Sequence, residues 1–208
     1  MVHTAIFFRL RLTLTCLVVM AASVLLAQML PLRKYFVQNI MRSANFYQDF
    51  CKLYTDRCVI GDQVGSATIC GTTTKTVRLP NGVSIFRAEL YAISMALNII
   101  YRKKESKFIM FSDSMSSLQT LKGFKLEIDL IYQIIKDYSH LTESGKKLLS
   151  AGWIPSHVNI PGNVKADLAA KSAVTFPVIK MKTPATELIP RVLQFCLKEW
   201  QDICDVWG

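Results

Sequence analysis

Carboxylates are scarce in this sequence: 15 Asp and Glu stand against 25 Lys and Arg in 208 residues. The resulting charge of +10 points to a polyanionic partner without identifying one. The first 48 residues hold five basic side chains (Arg9, Arg11, Arg33, Lys34, Arg42) and no acid, so half of the excess lies there and the remainder is only moderately basic. Glycine and proline are also few, at 9 and 7, while 51% of residues are hydrophobic and 19% charged, which excludes a collagen-like or intrinsically disordered chain. The six cysteines (Cys16, Cys51, Cys58, Cys70, Cys196, Cys204) form no CxxC pair and meet no histidine at zinc-finger spacing, which argues against a zinc knuckle. Cys196 and Cys204 fall in one expected helix, about 12 Å apart at 1.5 Å rise per residue, too far for a disulfide. The expectation is mostly buried thiols in a reducing compartment. Cys58 and Cys70, facing each other across a hairpin, are the pair that could depart from it. Ser114 and Ser156 lie outside any GxSxG elbow, which argues against a serine hydrolase built with His157. No internal repeat or low-complexity tract is present.

One long apolar run exists. Leu12–Leu32 carries no charge over 21 residues, with Arg9 and Arg11 before it and Arg33 and Lys34 after it. That is about the ~20 residues a bilayer-spanning helix needs. Ala21-Ala22-Ser23 resembles a signal-peptide cleavage point, but apolar residues continue past it. Balanced flanking charges give no orientation. A membrane anchor, a signal peptide and an apolar tract without a targeting role all stay open, and with them the localisation: membrane or secretory pathway if the tract is genuine, intracellular for the rest.

From residue 48 the pattern changes. Phe50–Thr55 alternates loosely and ends at Asp56, as a strand would; Gly65–Gly71 reads as a second strand and the β-branched Thr73–Leu79 as a third, before the turn Pro80-Asn81-Gly82. Phe86, Leu90, Ile93, Leu97 and Ile100 then recur at helical spacing behind a plausible N-cap, Ser84. Lys107–Phe111 is apolar without alternation, which suggests a strand covered on both faces. Ser114 caps a short helix closed by Gly123, Ile128–Tyr138 is helical, Lys147–Ile154 is a last strand, and Pro161 opens a helix through Ala173. The order β-β-β-α-β-α-α-β-α indicates an α/β fold, a mixed sheet with helices on its faces. Residues 176–208 are a connector and an amphipathic helix carrying Ile189, Val192, Cys196, Trp200, Ile203 and Trp207.

The placement of the scarce acids is informative. Asp56 ends the first strand and Asp113 the buried fourth one, where α/β sheets place their ligands. Adjacent central strands bring these two side by side, and Glu89 and Asp167 can reach the same edge from their helices. Clustered carboxylates repel one another unless cations neutralise them. Oxygen-only ligands select hard ions, Mg²⁺ first and Mn²⁺ second, and two such ions about 3.5–4 Å apart can hydrolyse a phosphodiester. Each acid also has an ordinary reading as a turn, helix-terminal or solvated residue.

YTD at 54–56, FRAELYAI at 86–93, FSDSMSSL at 111–118 and WIPSHVNIPGNVKADLAAKSA at 153–173 resemble the four motif blocks of type 1 ribonuclease H, most closely the form carried by non-LTR retrotransposons. The resemblance covers residues 50–175, and the last block is highly specific. It implies a five-stranded mixed sheet with helices on both faces, and an endonuclease that hydrolyses the RNA strand of RNA–DNA hybrids. It further implies a nuclease domain over 48–175, catalytic and metal-binding acids Asp56, Glu89, Asp113 and Asp167, two Mg²⁺ ions (or Mn²⁺), and a mobile His157 assisting water activation and product departure. The Trp-containing tail resembles the end of retrotransposon polyproteins, though no [FY]xDD polymerase motif occurs in these 208 residues. A catalytically dead remnant that at most binds nucleic acid is the alternative.

Three departures qualify the resemblance. Arg57-Cys58 replaces the Gly-Ser that usually follows the first aspartate. Alternation sends Arg57 to the side opposite Asp56, where the expectation is that it finds solvent or a phosphate. Asn159 and Val164 replace the usual Gly and Glu in the last block. The basic handle of some bacterial members is missing, so the resemblance implies weak hybrid binding unless a partner helps; Lys103, Lys104 and Lys107 are candidate phosphate contacts.

Overall fold

The computed structural model describes residues 48–123 and 128–207. The Leu12–Leu32 tract, with its anchor, leader and untargeted readings, lies outside the described residues. Among the described residues, no helix is long and apolar enough to cross a membrane.

Strands β1 (Cys51–Ile60), β2 (Gln63–Cys70) and β3 (Thr73–Leu79) form the expected antiparallel meander. Gly61 and Gly71, at φ +58° and +61°, turn the chain between them, a conformation glycine adopts without a side-chain clash. Helix α1 (Ile85–Arg102) crosses to β4 (Lys107–Ser112). Then follow α2 (Met115–Lys122), α3 (Asp129–Glu143), β5 (Lys147–Trp153), α4 (Pro161–Ala173) and α5 (Ala185–Trp207). The sheet order is β3-β2-β1-β4-β5, with β4 parallel to β1 and β5 parallel to β4. This is the α/β five-stranded mixed sheet with helices on both faces that the sequence implies.

Two bonds identify the α1 face. Ser66 and Thr68 donate their hydroxyls to the carbonyl oxygens of Ala88 and Ala92 in α1, at 2.8 and 2.7 Å. Their cross-strand partners are Arg57 and Thr55, and directly opposed residues share a face. The odd-numbered residues of β1 therefore face α1. There Leu90, Ile93, Leu97 and Ile100 bury against Leu53, Phe108 and Met110, joined by Ile131, Ile134 and Leu141 of α3. Each such side chain contributes about 1.5–3 kcal/mol of burial.

The even-numbered residues of β1 face α4, and Cys58 packs with Ala67 and Ala170. Close approach of α4 depends on Gly65, where an added Cβ would lie 2.3 Å from the Ala170 carbonyl oxygen.

Several boundaries differ from expectation. β1 does not end at Asp56; it runs on to Ile60, because β2 keeps pairing with it through Ile60↔Gln63 after β4 has stopped at Ser112. α3 continues to Glu143, past Tyr138. Cys58 and Cys70 are free and buried, held at opposite ends of the β1–β2 ladder by their partners Gly65 and Leu53, so they form no disulfide. Cys196 and Cys204 are exposed rather than buried; the apolar stripe of α5 that surrounds them, including Ile189, Val192, Trp200 and Ile203, is exposed too. The segment after residue 175 packs back on the sheet. Ile179 donates its N–H to the Arg78 carbonyl at 2.9 Å, and Ile179 and Met181 cover the cluster of Val64, Leu79, Val83 and Ala88.

Candidate metal centre

β1 and β4 part company just past Thr55↔Ser112, so the next residue of each strand, Asp56 and Asp113, stands at the same sheet edge. Ser84 fixes the start of α1 by accepting the Arg87 N–H at 3.2 Å. That places Glu89, in the second turn, over the same edge. One carboxylate oxygen from each of Asp56, Glu89 and Asp113 lies within 4.8 Å of the other two. Asp56 and Glu89 are buried, and Asp113 is half-buried. Trp153 at the end of β5 donates its indole N–H to the Asp113 carbonyl at 3.0 Å and steadies the turn after β4.

Burial and the charges of Asp113 and Asp56 push Glu89 up to about 9, with Arg57 pulling the other way. Burial, then the charge of Asp113, pushes Asp56 up to about 7, although its Oδ1 accepts the Arg57 backbone N–H at 2.7 Å. Burial also raises Asp113; Arg57, its own backbone N–H, His157 and the Asn163 side chain oppose the rise. The cation-free centre therefore holds protons near neutral pH, and a bound cation has to displace them.

Glu89 Oε2 and Asp113 Oδ1 are shielded from solvent and accept no hydrogen bond. Buried carboxylate oxygens without a hydrogen-bond partner, on two of the three clustered acids, fit a hard divalent cation. The donor set thus suits Mg²⁺ or Mn²⁺.

Arg57 is the main correction to the sequence reading. Its side chain does leave β1 opposite Asp56, but that side is covered by α1. Its shielded Nε lies 3.3 Å from Glu89 Oε1, an ion pair without hydrogen-bond alignment. Alternation sets the side to which Arg57 points but not which helix covers that side.

Asp167 is close enough for its charge to raise Asp56, yet it is not one of the three converging acids. It pairs with Lys171 one turn on, at 2.6 Å. His157 sits exposed on the β5–α4 loop at φ +55°, near enough to Asp113 for their charges to interact. Asn159, at φ +59°, occupies the left-handed conformation that glycine takes freely and asparagine tolerates, which explains why it can replace Gly. Val164 lies on the exposed side of α4. Ser114 commits its hydroxyl to capping α2, accepting the Ser117 N–H and donating to Ser117 Oγ at 2.8 Å.

Lys103, Lys104 and Lys107 flank the start of β4, whereas Asp113 follows its end, about 20 Å away at 3.3 Å per residue. They do not border this centre. Asn163, buried beside Asp113, does. The sequence reading left it unassigned, although its i, i+4 spacing from Asp167 on α4 put both on one face.

A family model for RNase H matches residues 48–175, and the chain belongs to the ribonuclease H family. That membership carries RNA–DNA hybrids as substrate, hydrolysis of their RNA strand as the reaction, and divalent metals as helpers. No curated protein matches the chain.

Proposed function

We propose that this chain is an active type 1 ribonuclease H, an endonuclease cutting the RNA strand of RNA–DNA hybrids with Mg²⁺ or Mn²⁺, and that it derives from a non-LTR retrotransposon. The observation carrying the catalytic reading is the convergence of Asp56, Glu89 and Asp113 within 4.8 Å at the end of β4. The WIPSH and PGN..AD blocks support the retrotransposon origin.

In this reading Asp56, Glu89 and Asp113 hold the cation, with Asp167 beside them. When bound, such a cation supplies positive charge for the phosphoryl oxygens and acidifies an attacking water. Asn163 keeps the Asp113 carboxyl oriented. His157, exposed on its loop, moves protons to and from water and product, assistance typically worth about 10²–10⁴-fold. Recognition would come from hybrid shape and from 2′-OH groups rather than base edges, and phosphate contacts make it salt-dependent.

The second reading, an inactive remnant, is favoured by one observation, the Arg57–Glu89 ion pair inside the centre. The test is cleavage of an end-labelled RNA–DNA hybrid by the full chain. Activity that requires Mg²⁺, stops in EDTA and is abolished by Asp113→Asn supports the nuclease. Inertness of the parent with good cutting by Arg57→Gly identifies a decayed copy.

A further inference from the structure

The family resemblance implies two divalent ions at four acids, but two of those acids already face cations of this chain. Arg57 stands against Glu89 at 3.3 Å, and Lys171 against Asp167 at 2.6 Å. Arg57 also stands on a tethered stretch of backbone. Its β1 position pairs with Ser66, which is bonded to the Ala88 carbonyl in α1, one residue before Glu89. The pair lies where the sheet and α1 are tied together.

Resting on the nuclease reading above, we propose that the Arg57 guanidinium takes the place of one of the two divalent ions, so that this centre binds a single divalent cation. That cation is held by Asp56, Asp113 and the free Oε2 of Glu89, while Glu89 Oε1 faces Arg57. Charge agrees with this. One guanidinium and one divalent ion together neutralise three carboxylates, whereas two divalent ions beside the guanidinium leave a largely buried cluster with a net positive charge, which its environment disfavours. The unpartnered oxygens agree as well. Glu89 Oε2 and Asp113 Oδ1 have no protein donor, while Glu89 Oε1 and Asp167 Oδ2 each have a cationic neighbour.

The test counts Mn²⁺ ions bound to the full chain by equilibrium dialysis, with low-temperature electron paramagnetic resonance to detect spin-coupled ion pairs. The expected result is one ion and no coupling for the parent, and two coupled ions for Arg57→Gly. Arg57→Met, which keeps an aliphatic side chain and β-strand character at this position, should give the same two ions and guards against a misfolded glycine variant. Two ions in the parent, or one ion in parent and both variants, overturns the role of Arg57 while leaving a metal-dependent nuclease intact. Ions bound by the variants but not by the parent overturn it too, since Arg57 then blocks the centre outright. No ion in any of the three overturns the metal-centre reading itself.

Discussion

Glu89→Gln should make the cation-free protein more stable at pH 8 while destroying its ability to use Mg²⁺. Glutamine keeps the side-chain volume and removes the charge. In the folded parent the Glu89 carboxyl is pushed up to about 9, against an ordinary value of 4.5 that the unfolded chain retains. A group raised on folding contributes its full stability below the unfolded value and loses it progressively as pH climbs toward the folded one. From pH 4.5 to 8 the loss has a ceiling of about 5 kcal/mol, at about 1.4 kcal/mol per unit. The variant returns part of this. Arg57 loses its partner, but its side chain is 37% exposed and can turn to water, a cost of about 1 kcal/mol or less. The expected net gain is about 2–4 kcal/mol at pH 8 and close to none at pH 4. Urea unfolding in EDTA at both pH values reads it directly. Millimolar Mg²⁺ at pH 8 should then narrow the gap, because only the parent gains binding energy in the native state. Equal urea midpoints at pH 8, or the same gap at pH 4 as at pH 8, would refute the reasoning.

Gly65→Ala should lower stability by about 1–3 kcal/mol, because its Cβ would meet the Ala170 backbone oxygen at 2.3 Å and backbone yields little; an unchanged urea midpoint refutes it. His157→Ala should slow cleavage by about 10²–10⁴-fold with unchanged Mn²⁺ affinity. His157→Asn, which tolerates φ +55°, separates lost proton transfer from lost loop geometry, and complete loss of Mn²⁺ binding in either variant would make His157 a ligand instead. Arg87→Met should cost about 2–3 kcal/mol, since Arg87 holds both Asp129 carboxylate oxygens, at 2.9 and 2.8 Å, and the Lys182 carbonyl at 3.3 Å. Limited proteolysis should then cut within residues 176–182 sooner than in the parent.

The order of strands and helices along the chain was legible because period and punctuation agree in it. The stripe from Leu90 to Ile100 reads only as a helix, and it lies buried on the sheet as such a stripe must. Asp113 was legible because it follows a run apolar on both faces. Asp56 was placed at the right edge for a partly wrong reason. The strand does not stop there; the neighbouring strand does. Single-sequence periodicity describes one strand at a time, and the point where two strands diverge belongs to the pair. The same limit applies to Arg57 and to Asp167. Alternation gives the face of Arg57 but not the helix lying on it, and the i, i+4 spacing of Asp167 and Lys171 permits their pair without saying that Asp167 takes it instead of converging with the other acids.

The departures from the family pattern differ in consequence according to where the backbone puts them. Asn159 adopts the φ that the usual glycine would supply, so it leaves the loop geometry intact. Val164 is exposed on α4. Cys58 sits under α4 against Ala67 and Ala170, where a thiol behaves as a small apolar group. Arg57 differs in kind, because it brings a permanent charge within 3.3 Å of an acid whose side chain is buried. Burial weakens screening, so that charge acts on all three converging carboxylates and lowers the proton affinity of each. A cation that makes deprotonation easier also competes with the ion the deprotonated acids would bind. These opposed effects come from one side chain, so the catalytic competence of this copy turns on Arg57 more than on the three other substitutions.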